Sequence, residues 1–455
     1  MRLLAVVAAI GLAECSARQV TAPSPSPAPA PTPMLTLIGT SVLSVGLTSQ
    51  LVATYSTGLP GTAVTSPVSW QSMAPSVATV TAAGLVTATA VGTATVTATS
   101  AGATGSVTIE VEAAGTGTIV LTTCAPISSG SYTLSGDLPP TGGACLQISN
   151  VSSVQLDCRG HMASALRISN ASAVTISNCS VPTSVTVTTA TTVMVTNSSF
   201  AGLAAANVVS LTATNSVFSA PVYPVQVTNG TSVVLSHDTV TSAGGGAGVI
   251  LRGGSNNQVT STSIAGGYDG SNAPVGTDDG ILLVDEVGDV IQDNTISNFY
   301  DMGIEGVGVV QNVTLANNTF SNMGVAGLGS YWCTSWSGDS LRGNTVSMAQ
   351  ALVFVAYEVG SNCGSTTPPA IFMGNQFIAN VFRNPAPGWG GSLLPFARLT
   401  IVMPGQVSGN VLQGNDFGTA DGPNLSPLAG FTDGGGNICG PLNPGISNFP
   451  CAGGS

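Results

Sequence analysis

Residues 269–305 gather nine carboxylates, Asp269, Asp278, Asp279, Asp285, Glu286, Asp289, Asp293, Asp301 and Glu305, in a chain that holds 20 Asp and Glu among 455 residues. Spread evenly, the same acids would place fewer than two in such a window. Carboxylates held close together can do acid–base work, because repulsion lets one of them keep its proton. Several together can also ligate a hard cation such as Ca²⁺. A solvated acidic face is the plainer reading of a charge run, so the spacing has to decide between them.

Five stretches align on a leading Gly or Ala: GVILRGG from Gly248, GILLVDE from Gly280, GIEGVGV from Gly303, GLGSYWC from Gly327 and ALVFVAY from Ala351, at steps of 32, 23, 24 and 24 residues. In this register Asp278 and Asp301 share one position, two residues before the aligned glycine. If the stretches are parallel strands on successive coils, about 4.8 Å apart, the two carboxylates are neighbours. Alternation along the strands places Val249, Ile281, Ile304 and Leu328 inside, and exposes Glu305, Arg252 and Tyr331 on one face, with Asp279 at its edge. The expected catalytic set is Asp278, Asp279, Asp301 and Glu305. Asp278, Asp279 and Asp301 are the expected ligands if the group holds Ca²⁺ instead. Arg252, Tyr331, Trp332 and Trp336 are the expected substrate contacts, since exposed aromatic rings suit the apolar faces of sugars. The aromatics have a second reading, as cover for the sides of the coil.

A repeat supplies the coils. The phrases IQDNTI, LANNTF, LRGNTV, FMGNQF and LQGNDF share the form apolar-x-x-Asn-x-apolar and end at Ile296, Phe320, Val346, Phe377 and Phe417. Weaker relatives end at Val181, Phe200, Phe218, Val240 and Ile264. Units of about 20 residues with several short strands cannot bury their own apolar faces, so they must stack on one another. The spacing predicts a parallel β-helix. Asn294, Asn318, Asn344, Asn375 and Asn415 read as structural, because Asn tolerates a left-handed bend and can hydrogen-bond from coil to coil. His237 sits at the position of Asn317, and both it and His161 read as packing or hydrogen-bonding residues.

The run LDCRGHMASALRISNASAVTISNCSV and the coils after it resemble the right-handed β-helix, pectin-lyase-like superfamily, over residues 116 to about 420. That fold hosts hydrolases, lyases, epimerases and adhesins. Polygalacturonases of this class begin one strand with Asp-Asp, carry another Asp on an adjacent coil, then Gly-His-Gly and Arg-x-Lys. Thr277-Asp278-Asp279-Gly280-Ile281 matches the first element, whereas Asp301-Met302-Gly303-Ile304 has no His and the chain has no Lys. The resemblance therefore carries over Asp278 and Asp279 as acid or base. It implies a polysaccharide or cell-surface glycan as partner and an enzyme as one outcome, by hydrolysis more naturally than by elimination, for which Arg252 alone is placed as base. A non-catalytic adhesin or glycan-binding surface protein is the alternative.

Upstream, PVSWQSMAPSVATVTAAGLVTATAVGTATVTATS resembles the bacterial Ig-like domain, group 2, through Trp70, Gly84-Leu85-Val86 and Gly92-Thr93-Ala94-Thr95-Val96, which makes Trp70 a core residue. The expected fold class is all-β. A small Ig-like β-sandwich at 34–113 precedes a right-handed single-stranded parallel β-helix at 116–425, with a cap or tail at 426–455.

The first residues, MRLLAVVAAIGLAEC, give one positive charge and an apolar run too short to span a bilayer, the pattern of an export signal at 1–15. Leu12-Ala13-Glu14-Cys15 resembles a bacterial lipobox and implies lipidation of Cys15, hence an outer-membrane or cell-surface lipoprotein, or otherwise an extracellular protein. Residues 16–33 form a Pro-rich linker, semi-rigid where TAPSPSPAPAPTP alternates Pro with small residues. Nine Cys leave eight once Cys15 is set aside, and proximity favours the pairs Cys124–Cys145, Cys158–Cys179, Cys333–Cys363 and Cys439–Cys451. A net charge of −12 without any Lys offers no basic groove, so nucleic acid is excluded as an expected partner, and a membrane is met only through the lipid.

Overall fold

The computed structural model describes residues 34–38, 42–46, 48–56, 68–100, 102–112, 118–140, 144–270, 278–359, 368–387, 398–418, 422–440, 448–449 and 451. The export signal, the linker, Cys15 and Cys363 lie outside them. Among the described residues no helix is long and apolar enough to cross a membrane.

The N-terminal β-unit follows from short Val/Thr runs broken by turns. Val42–Ser44, Ala103–Glu112, Gly92–Ser100 and Ser69–Ser72 form a four-stranded sheet, and Thr48–Gln50, Leu85–Ala88 and Ala78–Val80 a three-stranded one. Met34–Ile38 pairs antiparallel with Val52–Ser56. Leu43, Leu51, Val86, Val96, Ile109 and Val111 make the core, and Trp70 packs against it. Gly84, at φ +81°, is required here, because a Cβ would lie 2.9 Å from the Trp70 ring.

The rest is one continuous parallel sheet that runs from Ile119–Leu121 to Phe431–Asp433. The early coils use long strands, such as Leu146–Asp157 and Leu166–Ser177, and later coils break into three short ones, such as Val225–Thr228, Val233–Ser236 and Thr239–Ser242. Each strand pairs with its counterpart one coil on. The apolar column foreseen in the repeat is present: Val181, Phe200, Phe218, Val240, Ile264, Ile296, Phe320 and Val346 stack in order, all at most 1% exposed. The next member is Phe382 rather than Phe377. Phe377 stacks on Leu341 at a different corner.

Hydrogen bonds fix the corners. Asn318 Oδ1 accepts from the Asn294 N–H (3.1 Å), Asn344 Oδ1 from the Asn318 N–H (3.0 Å) and Asn380 Oδ1 from the Asn344 N–H (3.1 Å). Asn415 and Asn437 continue the series. Each Nδ2 donates to a main-chain carbonyl one coil back, as Asn318 does to Ile291 O at 2.9 Å. The left-handed residue is the one before the ladder residue: Asp293 before Asn294, Asn317 before Asn318 and His237 before Asp238 have φ of 57°, 54° and 57°. Asn375 belongs to a second ladder, where it takes the Asp339 N–H at 3.0 Å.

Cys124–Cys145, Cys158–Cys179 and Cys439–Cys451 are disulfides, and Cys333 is disulfide-bonded as well. Such bonds persist in oxidising compartments, which makes this an exported protein.

Candidate functional site

The site begins with strand register. Val249 pairs with Ile281, Ile281 with Ile304, and Ile304 with Leu328, and all four point into the coil with 0% exposure. The following step runs from Leu328 to Val353, one residue longer than the sequence alignment has it. Gly280 and Gly303 open their strands because the chain passes over the apolar column. A Cβ on Gly280 would lie 2.3 Å from Ile296 Cγ2, and one on Gly303 would lie 2.2 Å from the Phe320 ring.

This register brings the acids together. The Asp301 N–H donates to Asp278 O at 2.8 Å, and the Gly280 N–H to Met302 O at 2.9 Å. Asp278 is exposed, Asp301 half-buried and Asp279 buried. Asp279 Oδ1 accepts from the Met302 N–H at 3.1 Å, and its side chain is hydrogen-bonded to Glu305. Glu305 Oε1 also accepts from the Tyr331 N–H at 3.3 Å. The result is an inner pair, Asp279 and Glu305, beneath an outer pair, Asp278 and Asp301.

Burial dominates the electrostatics. It raises Asp279 well above the ordinary carboxylate range, helped by the charges of Glu305, Asp301 and Asp278. Burial, then Glu305 and Asp278, push Asp301 up to about 8. Asp278 is raised by burial alone, and Glu305 by burial, against the opposing hydrogen bonds from Asp279 and Tyr331. Groups of one kind are thus graded by burial, from Asp279, raised furthest, to the exposed Asp278.

Of the aromatic residues expected at the site, Tyr331 and Trp332 border it. Their rings meet edge-on with centroids 5.1 Å apart, and Tyr331 stacks on Phe354 at 6.2 Å. A hydrogen bond to Glu358 holds the Tyr331 hydroxyl and raises its pKa, with lesser contributions from burial and from the charges of Glu358 and Asp301.

Three expectations need correction. Glu305 alternates outward as expected, yet it is 6% exposed. Gly329 faces it on the next coil, and Tyr331 comes back over it through the backbone hydrogen bond. Trp336 is 1% exposed and belongs to the interior, stacked on Phe372 at 6.2 Å. Arg252 is exposed, but it pairs with Val284, which pairs in turn with Val307. That places it two coils before Glu305 and two residues further along its strand.

The sequence reading missed Glu358 and Phe354. A signal for Phe354 was present, in its place opposite Gly329, but the one-residue alignment error concealed it. The reading also gave no place to four further acids that are buried along the corners, Glu286, Asp289, Asp238 and Asp339.

Comparison with known proteins bears on the fold. The family model described as right handed beta helix region matches residues 201–377, and that of the bacterial Ig-like domain (group 2) matches residues 39–111. Similar solved structures include a mannuronan C-5 epimerase A-module of Azotobacter vinelandii, 12% identical over 72% of this chain and 92% of that one, with a TM-score of 0.34. The catalytic domain of a GH87 α-1,3-glucanase is 10% identical over 89% of both chains, at 0.36. PfbA, a surface adhesin of Streptococcus pneumoniae, is 11% identical over 55% of this chain and 83% of that one, at 0.26. No curated protein matches the sequence. The sheet that climbs coil by coil, its stacked apolar column and the two family matches agree: the chain is a right-handed parallel β-helix protein with an N-terminal bacterial Ig-like domain of group 2.

Proposed function

We propose that this exported protein acts on a polysaccharide at the Asp278–Asp301 edge of its β-helix, as a glycoside hydrolase. The observation that carries the reading is the coil register, which sets the exposed Asp278 beside Asp301, raised to about 8, on the adjacent coil. Glycoside hydrolysis needs that division of labour: an acid protonates the leaving oxygen while a carboxylate attacks, or activates water, at the anomeric carbon. Asp301 is the proton donor and Asp278 the carboxylate. Burial and the charges of Glu305 and Asp278 keep Asp301 protonated, and Tyr331 with Trp332 supply an aromatic wall for a sugar ring.

Calcium is the other occupant proposed for Asp278, Asp279 and Asp301. Among the described residues no three or more His, Cys, Asp or Glu are arranged to hold a metal ion, so no step is routed through it. Melting with and without chelator checks this, since a bound ion raises the melting temperature.

The deciding experiment is sugar release from a panel of polysaccharides, with and without Ca²⁺, by the wild type, Asp278→Asn and Asp301→Asn. Product that disappears in both variants supports the enzyme. Glycan binding that persists in all three, with no product depending on either residue, supports the adhesin reading, which the Ig-like module favours as a display element.

A further inference from the structure

The two corner ladders are built mainly from Asn, Ser and Thr side chains, each of which can both accept and donate. Three positions break that rule. In the first ladder Asp238 stands between Ser216 and Thr262: its Oδ1 accepts from the Ser216 N–H at 2.7 Å, and the Asp238 N–H donates to Thr262 Oγ1 at 3.3 Å. In the second, Asp289 Oδ1 accepts from the Asn257 N–H and Asp339 Oδ1 from the Val313 N–H, both at 2.8 Å. All three are at most 2% exposed.

The second oxygen separates them: Asp238 Oδ2 accepts from the Ser236 N–H at 3.1 Å, and those of Asp289 and Asp339 do not have such a donor. Ladder Asn residues use the second atom as a donor: Asn410 Nδ2 donates to Phe372 O at 2.9 Å, and Asn375 Nδ2 is directed at Trp336 O at 3.4 Å. Asp289 Oδ2 and Asp339 Oδ2, in equivalent places, find no donor at all. An ionised carboxylate only accepts, so a buried oxygen without a donor is costly, whereas a carboxylic acid has the O–H that copies the Asn amide. Asp289 also shares a side-chain hydrogen bond with Glu286, which two carboxyl groups can form only if one holds a proton.

We propose that Asp289 and Asp339 are neutral carboxylic acids standing in for carboxamides, so that the β-helix is tightest in acid and loosens as the medium turns alkaline. Their surroundings agree. Burial raises Asp339 well above its ordinary range, against hydrogen bonds from Val313 and Ser337, with no charged side chain contributing. Asp289 is raised to about 9 by burial and by Glu286, which itself faces Asp285. Asp238 reaches about 7 through burial, against the N–H groups of Ser216 and Ser236. The titratable side chain next to it, His237, turns to Ser236 Oγ at 2.8 Å. Because all three folded-state values are raised, the stability they contribute is fully present below the unfolded carboxylate range. It is lost as pH rises, first through Asp238 near neutrality and then through Asp289.

Urea unfolding of the full chain between about pH 5 and about pH 9 tests this, in an Asp278→Asn/Asp279→Asn/Asp301→Asn/Glu305→Gln background so that the site acids do not contribute. The folding equilibrium should fall with pH by up to about tenfold per unit for each acid concerned. Adding Asp339→Asn or Asp289→Asn should flatten that slope and leave the variant more stable than its parent at the alkaline end. An unchanged slope in both variants, or a parent that gains stability with pH, overturns the proposal. Should a variant fail to fold, carbon-13 titration of the Asp side chains in the same background decides. An Asp289 or Asp339 carboxyl still protonated at about pH 6 supports the proposal, and complete ionisation of both by then overturns it. Because the site acids are absent, the result is independent of the hydrolase reading.

Discussion

Asp301 owes its proton first to burial and then to its neighbours. Glu305 is the leading charge acting on it, ahead of Asp278, so Glu305→Gln should bring its titration down from about 8 towards the ordinary carboxylate range. Carbon-13 NMR of the Asp301 carboxyl reads this directly, and an unmoved titration would mean that Glu305 does not act on it. If Asp301 is the proton donor, the alkaline limb of any hydrolytic activity should follow the same shift to lower pH, since the acid form is then lost earlier. The pairing of Asp278 with Asp301 was legible in the sequence, because it depends only on the coil period. The burial of Glu305 was not. Alternation gives the direction of a side chain, but whether an outward residue is covered depends on the facing residue of the next coil, here Gly329, and on how Tyr331 returns over it. Trp336 was misplaced for a related reason: a Trp beside Ser and Thr looks like a loop residue until its pairing with Val310 and Phe372 shows it in an inward column.

The corner is the element on which the coils depend. Asn344 Oδ1 accepts from the Asn318 N–H, and its Nδ2 donates to Leu315 O at 2.8 Å, at 0% exposure. Asn344→Ala leaves both backbone groups buried without partners, at about 1–3 kcal/mol each. Asn317→Ala, one residue earlier, loses a left-handed residue and its hydrogen bond to Asp293 (3.2 Å), which is exposed, and should cost about 1 kcal/mol. Denaturant midpoints of the two variants check the order, and equal losses would show that the ladder contributes no more than the bend. The same chemistry explains the repeat that was assigned to the wrong corner. Asn375 and Asn380 both precede an apolar residue by two positions, and both enter Asn ladders. Two corners with one local pattern cannot be told apart by motif, and only the column they stack on, Leu341 or Val346, distinguishes them.

At the scale of the molecule, a β-helix is a stack in which each coil touches its neighbours, so stability is distributed along the axis rather than pooled in one core. Two disulfides, Cys124–Cys145 and Cys158–Cys179, fall in the first coils, each closing a separation of 21 residues. A closed loop of that length contributes about 3 kcal/mol by restricting the unfolded chain. Cys158 and Cys179 are also buried, at 0% and 3% exposure, and the Cys179 N–H starts the first ladder by donating to Ser198 Oγ at 3.1 Å. Replacing both by Ala should therefore loosen the coils beside them more than distant ones. Amide hydrogen exchange should quicken across Leu146–Asp157 and Leu166–Ser177, while Thr319–Met323 and Thr345–Ser347 keep their protection. Uniform acceleration over all four strands would mean that the stack unfolds as a single cooperative unit. In that case the Asp278–Asp301 edge, several coils away, would lose its geometry whenever the N-terminal coils opened.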